Sequence, residues 1–289
     1  MRGAGVRRCS GLIGMLNAGL IALAALAALP GAVRGEEMLY PLSVAVAGDD
    51  ALLVADRMLP GLLKLQAGTS EVFFQGKKTF RTPLNAVRAV AVAADGTVHA
   101  ADSATRDVFK FVDGQPVPLT QGKIGIPVDI AFDPSGDLFV SDLETQRIWR
   151  VPAAGGEPKE VAQLAAPRGL FVDGAGRLWA VAASGEQPLV RIAADGSIEP
   201  VVKERVFEFP HDVVVADDGT AYVSDNYARA VWKVTADGTA SKWISGEPLK
   251  GPVGLAIRAG KVLIADPQAK TVWEADSEGK LTPLHQAAK

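Results

Sequence analysis

The sequence carries few of the residues on which covalent or metal chemistry usually rests. Its 289 residues include one cysteine, Cys9, and three histidines, His99, His211 and His285. Cys9 precedes a long apolar run, so a chain that loses this run keeps no thiol and has no disulfide, thiolate ligand or cysteine nucleophile. Aromatic residues make up only 6%. No phosphate-cradling glycine loop, paired-cysteine metal motif or serine nucleophile elbow is present. No Ser/Pro linker or charge block divides the bulk of the chain, which points to a single domain.

At the amino terminus Arg2, Arg7 and Arg8 precede an apolar stretch at 12–29, interrupted only by Asn17, and then Pro30-Gly31. A basic start, apolar middle and small-residue end describe a signal peptide over 1–35, cut after Gly35, with the mature domain at 36–289. The alternative is an uncleaved anchor, because a run of this length can span a bilayer. Removing 1–35 takes away four arginines and no acid, so the net charge moves from −3 to −7. An acidic protein is a poor partner for nucleic acid or anionic membrane. The expectation is an exported, periplasmic or extracellular monomer with no membrane span after cleavage.

What the chain has in abundance is a repeat. "PLSVAVAGDDALLVAD" from Pro41 returns as "VRAVAVAADGTVHAAD" from Val87 and "PVDIAFDPSGDLFVSD" from Pro127. It returns again as "PRGLFVDGAGRLWAVA" from Pro167, "PHDVVVADDGTAYVSD" from Pro210 and "PVGLAIRAGKVLIAD" from Pro252. A period of about forty residues signals a solenoid, propeller or array. Each copy reads as four strands: a short apolar run, a turn such as Asp95-Gly96 or Asp218-Gly219, a second apolar run, an alternating third strand and a more polar fourth. Asp-Gly suits the tight turn because both residues tolerate positive φ. Six such sheets, near 41–75, 87–121, 127–163, 167–203, 210–245 and 252–284, make an all-β, six-bladed propeller of four-stranded antiparallel blades. The last copy contains its own fourth strand near 281–284, so closure needs no strand exchange, and 36–39 is free to add to an edge.

The pattern P-x-G-apolar-x-apolar, glycine turn, aromatic-V-small-D and a third strand starting near Arg147 or Arg229 resembles the NHL repeat. More broadly the chain resembles the six-bladed propellers that include gluconolactonase and regucalcin-like proteins. One propeller hosts hydrolases, lyases and binding modules, so the resemblance implies a fold more than an activity. Gluconolactonase-like enzymes are expected to hold a divalent cation with Glu, Asn and Asp at the channel, and no matching Glu or Asn stands here. Amidating lyases are expected to use several channel histidines for zinc, and only His211 is suitably placed.

Sameness between copies indicates scaffold. Asp56, Asp102, Asp142, Asp225 and Asp266 close five of the six units and are expected to accept backbone N–H groups in the connection to the third strand. Ala182 stands in their place in the fourth copy, where a changed loop is expected at 184–188. His99 shares its position with Leu53, Phe139, Trp179, Tyr222 and Leu263, so packing between blades is its expected role.

Differences between copies indicate a site. The residue after each opening Pro or Val is Leu42, Arg88, Val128, Arg168, His211 or Val253, and the next is Ser43, Ala89, Asp129, Gly169, Asp212 or Gly254. Arg88, Asp129, Arg168, His211 and Asp212 therefore converge on one end of the channel. Three uses are open: arginines and acids that neutralise one another, arginines that bind a carboxylate, phosphate or sugar acid, or His211 as general base oriented by Asp129 or Asp212. Loops beginning at Gly76, Lys203 and Ser245 add Phe80, Phe207 and Phe209 beside Lys77, Lys78, Arg81 and Arg205, forming a rim. The leading expectation is non-catalytic binding of a small anionic molecule, saccharide or peptide. The alternatives are a gluconolactonase-like hydrolase with a divalent cation, for which Asp129, His211 and Asp212 are candidate ligands, and a scaffold for a protein partner.

Overall fold

A computed structural model describes residues 36–48, 50–183 and 186–285. The expected signal peptide with Cys9, and residues 184–185 of the fourth-blade connection, lie outside the described residues. Among the described residues every regular element is a strand, and no helix is long and apolar enough to cross a membrane. The strands form six four-stranded sheets, each in simple sequence order. All neighbouring strands within them are antiparallel. The chain folds as the six-bladed propeller that its repeat indicates.

The inner strands, one per blade, are Pro41–Val46, Val87–Val92, Pro127–Phe132, Pro167–Val172, Pro210–Val215 and Leu255–Arg258. Each approaches the next around the axis, and the last approaches the first, so the ring is closed. The second strand of each blade is almost wholly buried, as in Ala51–Asp56 and Leu178–Ala182, whereas outer strands such as Lys159–Gln163 are largely exposed. This gradient follows from stacking: inner and middle strands are covered by adjacent blades, and the outer edge meets water. The apolar clusters lie between blades, for example Leu53, Leu62, Val90, Ala100 and Phe109 between the first and second.

The seam between the sixth blade and the first has its own seal. Met38 is fully buried with Val44, Leu52, Leu63, Leu263 and Val272. The Glu36 N–H donates to the Ser70 carbonyl at 3.0 Å, tying this short segment to the outer strand of the first blade. The last sheet contributes its own outer strand, Leu281–Pro283.

Two expectations need correction. In the Asp95-Gly96 turn only the glycine has positive φ, and Gly96 N–H bonds to Ala93 O at 2.9 Å. The turn therefore has one left-handed residue at its end, and aspartate serves it by accepting Thr97 N–H at 2.9 Å. Phe207, expected on the rim, is 3% exposed and packs edge-on against Trp232.

The recurring aspartates are fully buried acceptors. Asp142 takes the N–H groups of Gly125, Ile126, Glu144 and Thr145, the Thr145 hydroxyl and the Trp149 indole N–H. Asp56, Asp102, Asp225 and Asp266 make the corresponding bonds, each linking the start of its blade to the connection before the third strand. In the fourth blade Ala182 has no side-chain acceptor to offer, and its N–H donates to Pro188 O at 3.0 Å.

Candidate functional site

Consecutive side chains of a regular strand point to opposite faces. Most of the inner strands break this rule where they meet the channel mouth. The pairing register slips between Pro41 and Ser43, Val87 and Ala89, Pro167 and Leu170, and Pro210 and Val213, and in the third blade between Ser141 and Asp142 of the partner strand. Bulges re-aim side chains in this way. As a result, successive residues, such as His211 and Asp212 or Val128 and Asp129, line the same narrow cavity. Arg88, Asp129, Arg168, His211 and Asp212 all border it, with Ser43, Gly169 and Gly254 among the others. Its enclosed space is only about 20 Å³.

Below the mouth, three side chains clasp adjacent blades together. Ser43 Oγ accepts Val90 N–H at 3.2 Å, Asp129 Oδ2 accepts Leu170 N–H at 2.7 Å, and Asp212 Oδ2 accepts Leu255 N–H at 2.7 Å. The acceptors come from the first, third and fifth blades. At the same position the even blades carry Ala89, Gly169 and Gly254. A Cβ on Gly169 would overlap Asp212 Oδ1 and stand 2.5 Å from its Cα, and one on Gly254 would stand 2.8 Å from Ser43 Cα. Small and polar residues thus alternate around the neck because there is room for only one side chain between each pair of blades.

The arginines and acids do not neutralise one another, which corrects the first of the three uses. Among the described residues neither Arg88 nor Arg168 forms an ion pair with a carboxylate. Arg88 Nε donates to Ser103 Oγ at 3.3 Å, and Arg168 Nε is buried without a hydrogen-bond partner. Burial, reinforced by the Arg57 and Arg168 cations and opposed by Tyr40, brings Arg88 down to about 10. Burial also lowers Arg168, with Tyr227 pulling the other way.

Burial, then Arg168 and Arg88, lowers His211 to about 3, so it is neutral at physiological pH. Burial raises Asp129 to about 7 against the pull of the Leu170 and Ile130 N–H groups. Asp212 is pushed well above the usual carboxylate range by burial and by Asp129. The mouth therefore presents two cations beside a neutral imidazole, above two acids that hold their protons unusually well.

Aromatic rings flank these cations. The Arg168 guanidinium carbon lies 4.9 Å from the centroid of Phe209. Phe209 stacks on Tyr227 at 4.7 Å with planes 19° apart, and His211 lies 6.2 Å from Phe209. Tyr227 was not among the residues expected from sequence. A signal existed: two residues after the repeating Asp, the other blades carry Met58, Ala104, Glu144 and Gln268. Of the remaining rim residues, Phe80 is 81% exposed under Arg81. His99 and His285 are buried and do not border the cavity; His99 packs edge-on against Phe132 at 5.0 Å.

Among the described residues no group of three or more His, Cys, Asp or Glu side chains is arranged to hold a metal ion. The donors at the neck, two backbone-bonded carboxyls below two guanidiniums, do not match a divalent-cation site, and no chemical step follows from one. On the opposite side of the neck the channel widens into a funnel of about 300 Å³ that Asp129 and Asp212 border together with Val46, Val92 and Ile257.

No family model matches the chain. It is 30% identical over 195 residues to virginiamycin B lyase of Nocardia farcinica, covering 67% of each chain. Among solved structures it resembles virginiamycin B lyase of Staphylococcus aureus, with TM-score 0.68, 15% identity and coverage of 89% of this chain and 87% of that one. A gluconolactonase of Xanthomonas campestris superposes with TM-score 0.70 and 16% identity, covering 86% and 88% of the two chains. A chain of a nidogen/laminin complex gives TM-score 0.71 and 16% identity, covering 83% and 94%. These structural likenesses confirm the six-bladed propeller suggested by the NHL-like and gluconolactonase-like pattern. By the extent and identity of its match to the Nocardia protein, the chain belongs to the virginiamycin B lyase family of six-bladed propellers.

Proposed function

We propose that this protein is exported and binds a small anionic ligand, or a saccharide or peptide bearing an anionic group, at the channel mouth without transforming it. The observation that carries this is the pair of half-buried guanidiniums that have no carboxylate partner among the described residues. Two like charges in a desolvated place are costly unless an anion joins them. Arginine is suited to the task because its fork donates two parallel hydrogen bonds to a carboxylate or phosphate. His211, neutral and poorly basic, contributes a hydrogen bond more readily than a proton transfer, which favours binding over general-base chemistry.

Calorimetric titration with inorganic phosphate and with acetate tests the proposal. Binding to the wild type that weakens with salt and is lost in Arg88→Ala and Arg168→Ala supports it. Affinities unchanged in both variants overturn it. For export, the support is the basic-apolar-small pattern of 1–35, and amino-terminal sequencing of protein from the culture medium or periplasm should begin at Glu36.

Catalysis at the same mouth is favoured by kinship with a protein named as a lyase and by likeness to a solved gluconolactonase. Elemental analysis of protein purified without chelators, followed by a lactone screen, tests the metal-dependent hydrolase. A protein partner on the rim is favoured by the likeness to a chain of a nidogen/laminin complex; a retained partner released by Phe80→Ala would identify it.

A further inference from the structure

Resting on the anion-binding reading above, we propose that Arg57 is a third cation of the same site and that the ligand carries two anionic groups. One is held by Arg88 and Arg168 at the neck, and the other is held outside it by Arg57.

The repeat shows where Arg57 stands. It follows Asp56, the buried acceptor of the first blade, and its N–H donates to Tyr40 O at 3.1 Å. The corresponding residues of the second and fifth blades make the same backbone bond, Ser103 N–H to Ala86 O and Asn226 N–H to Phe209 O, both at 3.1 Å. Their side chains mark what can be reached from this place. Ser103 Oγ accepts Arg88 Nε at 3.3 Å, at the mouth of its own blade. Asn226 Nδ2 donates to Gly251 O at 3.1 Å and so crosses to the start of the next blade. Gly251 immediately precedes the opening Pro252, and its counterpart in the second blade is Ala86, two residues before Arg88. A side chain that leaves the first blade as Asn226 leaves the fifth therefore arrives beside Arg88. In agreement with this placement, Arg57 follows burial as the next cause that lowers Arg88, ahead of Arg168.

Charge and room then define the ligand. At the place of Arg57 the other blades carry Ser103, Leu143, Ala183, Asn226 and Pro267, so the first blade alone adds a charge there. Among the described residues none of Arg57, Arg88 and Arg168 pairs with a carboxylate, whereas arginines elsewhere on the propeller, such as Arg106, Arg150 and Arg258, do. Three neighbouring cations repel one another. About 20 Å³ of enclosed space at the neck accommodates roughly one water-sized group, so one anionic group engages the two inner arginines and the rest of the ligand stays outside. Arg57 is exposed and free to meet that outer part, where a second negative group compensates it. A ligand with one anionic group leaves the third charge unanswered.

The experiment compares succinate with monomethyl succinate, which keeps the chain length and has one charge fewer, by calorimetric titration at neutral pH of the wild type, Arg57→Gln and Lys159→Gln. Succinate is expected to bind the wild type about threefold more tightly, the order for one partly exposed ion pair, and to lose more affinity as salt is added. Arg57→Gln should abolish this difference and leave monomethyl succinate little changed. Lys159→Gln removes a charge from the exposed outer strand of the third blade and should keep the difference. Equal affinities in the wild type, or a difference that survives Arg57→Gln, overturn the assignment of Arg57 and leave the anion site intact. A difference lost equally in Lys159→Gln belongs to overall charge and overturns the assignment too. Failure of both ligands to bind removes the anion site, and this inference with it. Thermal melting of Arg57→Gln alongside the wild type separates loss of the third cation from loss of the fold.

Discussion

Asp212 of the fifth blade accepts the Leu255 N–H of the sixth through Oδ2 at 2.7 Å, while its Oδ1 takes the Val213 N–H of its own strand at 2.8 Å. One carboxyl thus joins two blades at the narrowest part of the channel. Asp212→Ala should leave both N–H groups without this acceptor and destabilise the protein by about 1–3 kcal/mol in urea unfolding. Unchanged stability would mean that the bond contributes nothing beyond what water supplies.

Gly169 offers a sharper steric test. A Cβ there would overlap Asp212, so Gly169→Ala should cost about 1–3 kcal/mol, the range for forcing extra bulk into a packed site. The double variant Gly169→Ala with Asp212→Ala should lose less than the sum of the two, because the overlap with Asp212 Oδ1 is removed while the close approach to Asp212 Cα remains. Additive losses would show that the two residues do not share the space.

Stability should depend on pH with opposing contributions. Asp129 has a folded value of about 7, above its unfolded value near 3.8. The native state therefore binds the additional proton, and this contribution is present below pH 4 and is lost as pH rises through 7. His211 and His99 are lowered to about 3 and about 4 from 6.5, so their contributions are present above pH 6.5 and are lost as pH falls towards those values. Unfolding measured from pH 4 to 8 should show Asp129→Asn gaining relative to wild type as pH rises. His99→Phe should flatten the acid limb, since hydrophobic residues already occupy the equivalent position in other blades. Parallel curves for all three proteins would contradict these assignments.

Met38 seals the ring where no strand is exchanged. Met38→Ala should destabilise by about 2–5 kcal/mol, as expected for truncating a fully buried side chain. Hydrogen exchange should rise first in the strands it covers, Ala51–Asp56 and Lys261–Asp266, with Pro127–Phe132 on the far side of the ring little changed.

The arginine pair makes a prediction about the free protein. Arg88→Gln removes one of two uncompensated cations, so it should be at least as stable as wild type in low salt. Added phosphate should raise the wild-type melting temperature and leave that of Arg88→Gln unchanged. A strongly destabilised variant with an unchanged response to phosphate would contradict the assignment of Arg88 to the site.

The architecture was legible because a repeat states it six times. Apolar runs, Gly turns and the terminal Asp recur at fixed offsets, and only stacking around an axis buries all of those faces together. Even the role of the aspartates was readable, since their recurrence indicates a scaffold contact. The sequence also located the five mouth residues, because they occupy a position where the copies differ. Three other matters were decided by tertiary structure. Whether Arg88 and Arg168 meet Asp129 and Asp212 depends on bulges that turn successive side chains into one neck, and on N–H groups from the next blade that claim the carboxyls first. Phe207 and Phe209 stand two residues apart, yet one is core and the other supports Tyr227, a separation set by the path of one loop. The stack of Phe209 on Tyr227 joins residues from the start of a blade and from the connection before its third strand, and only the folded ring brings them beside Arg168 of the preceding blade.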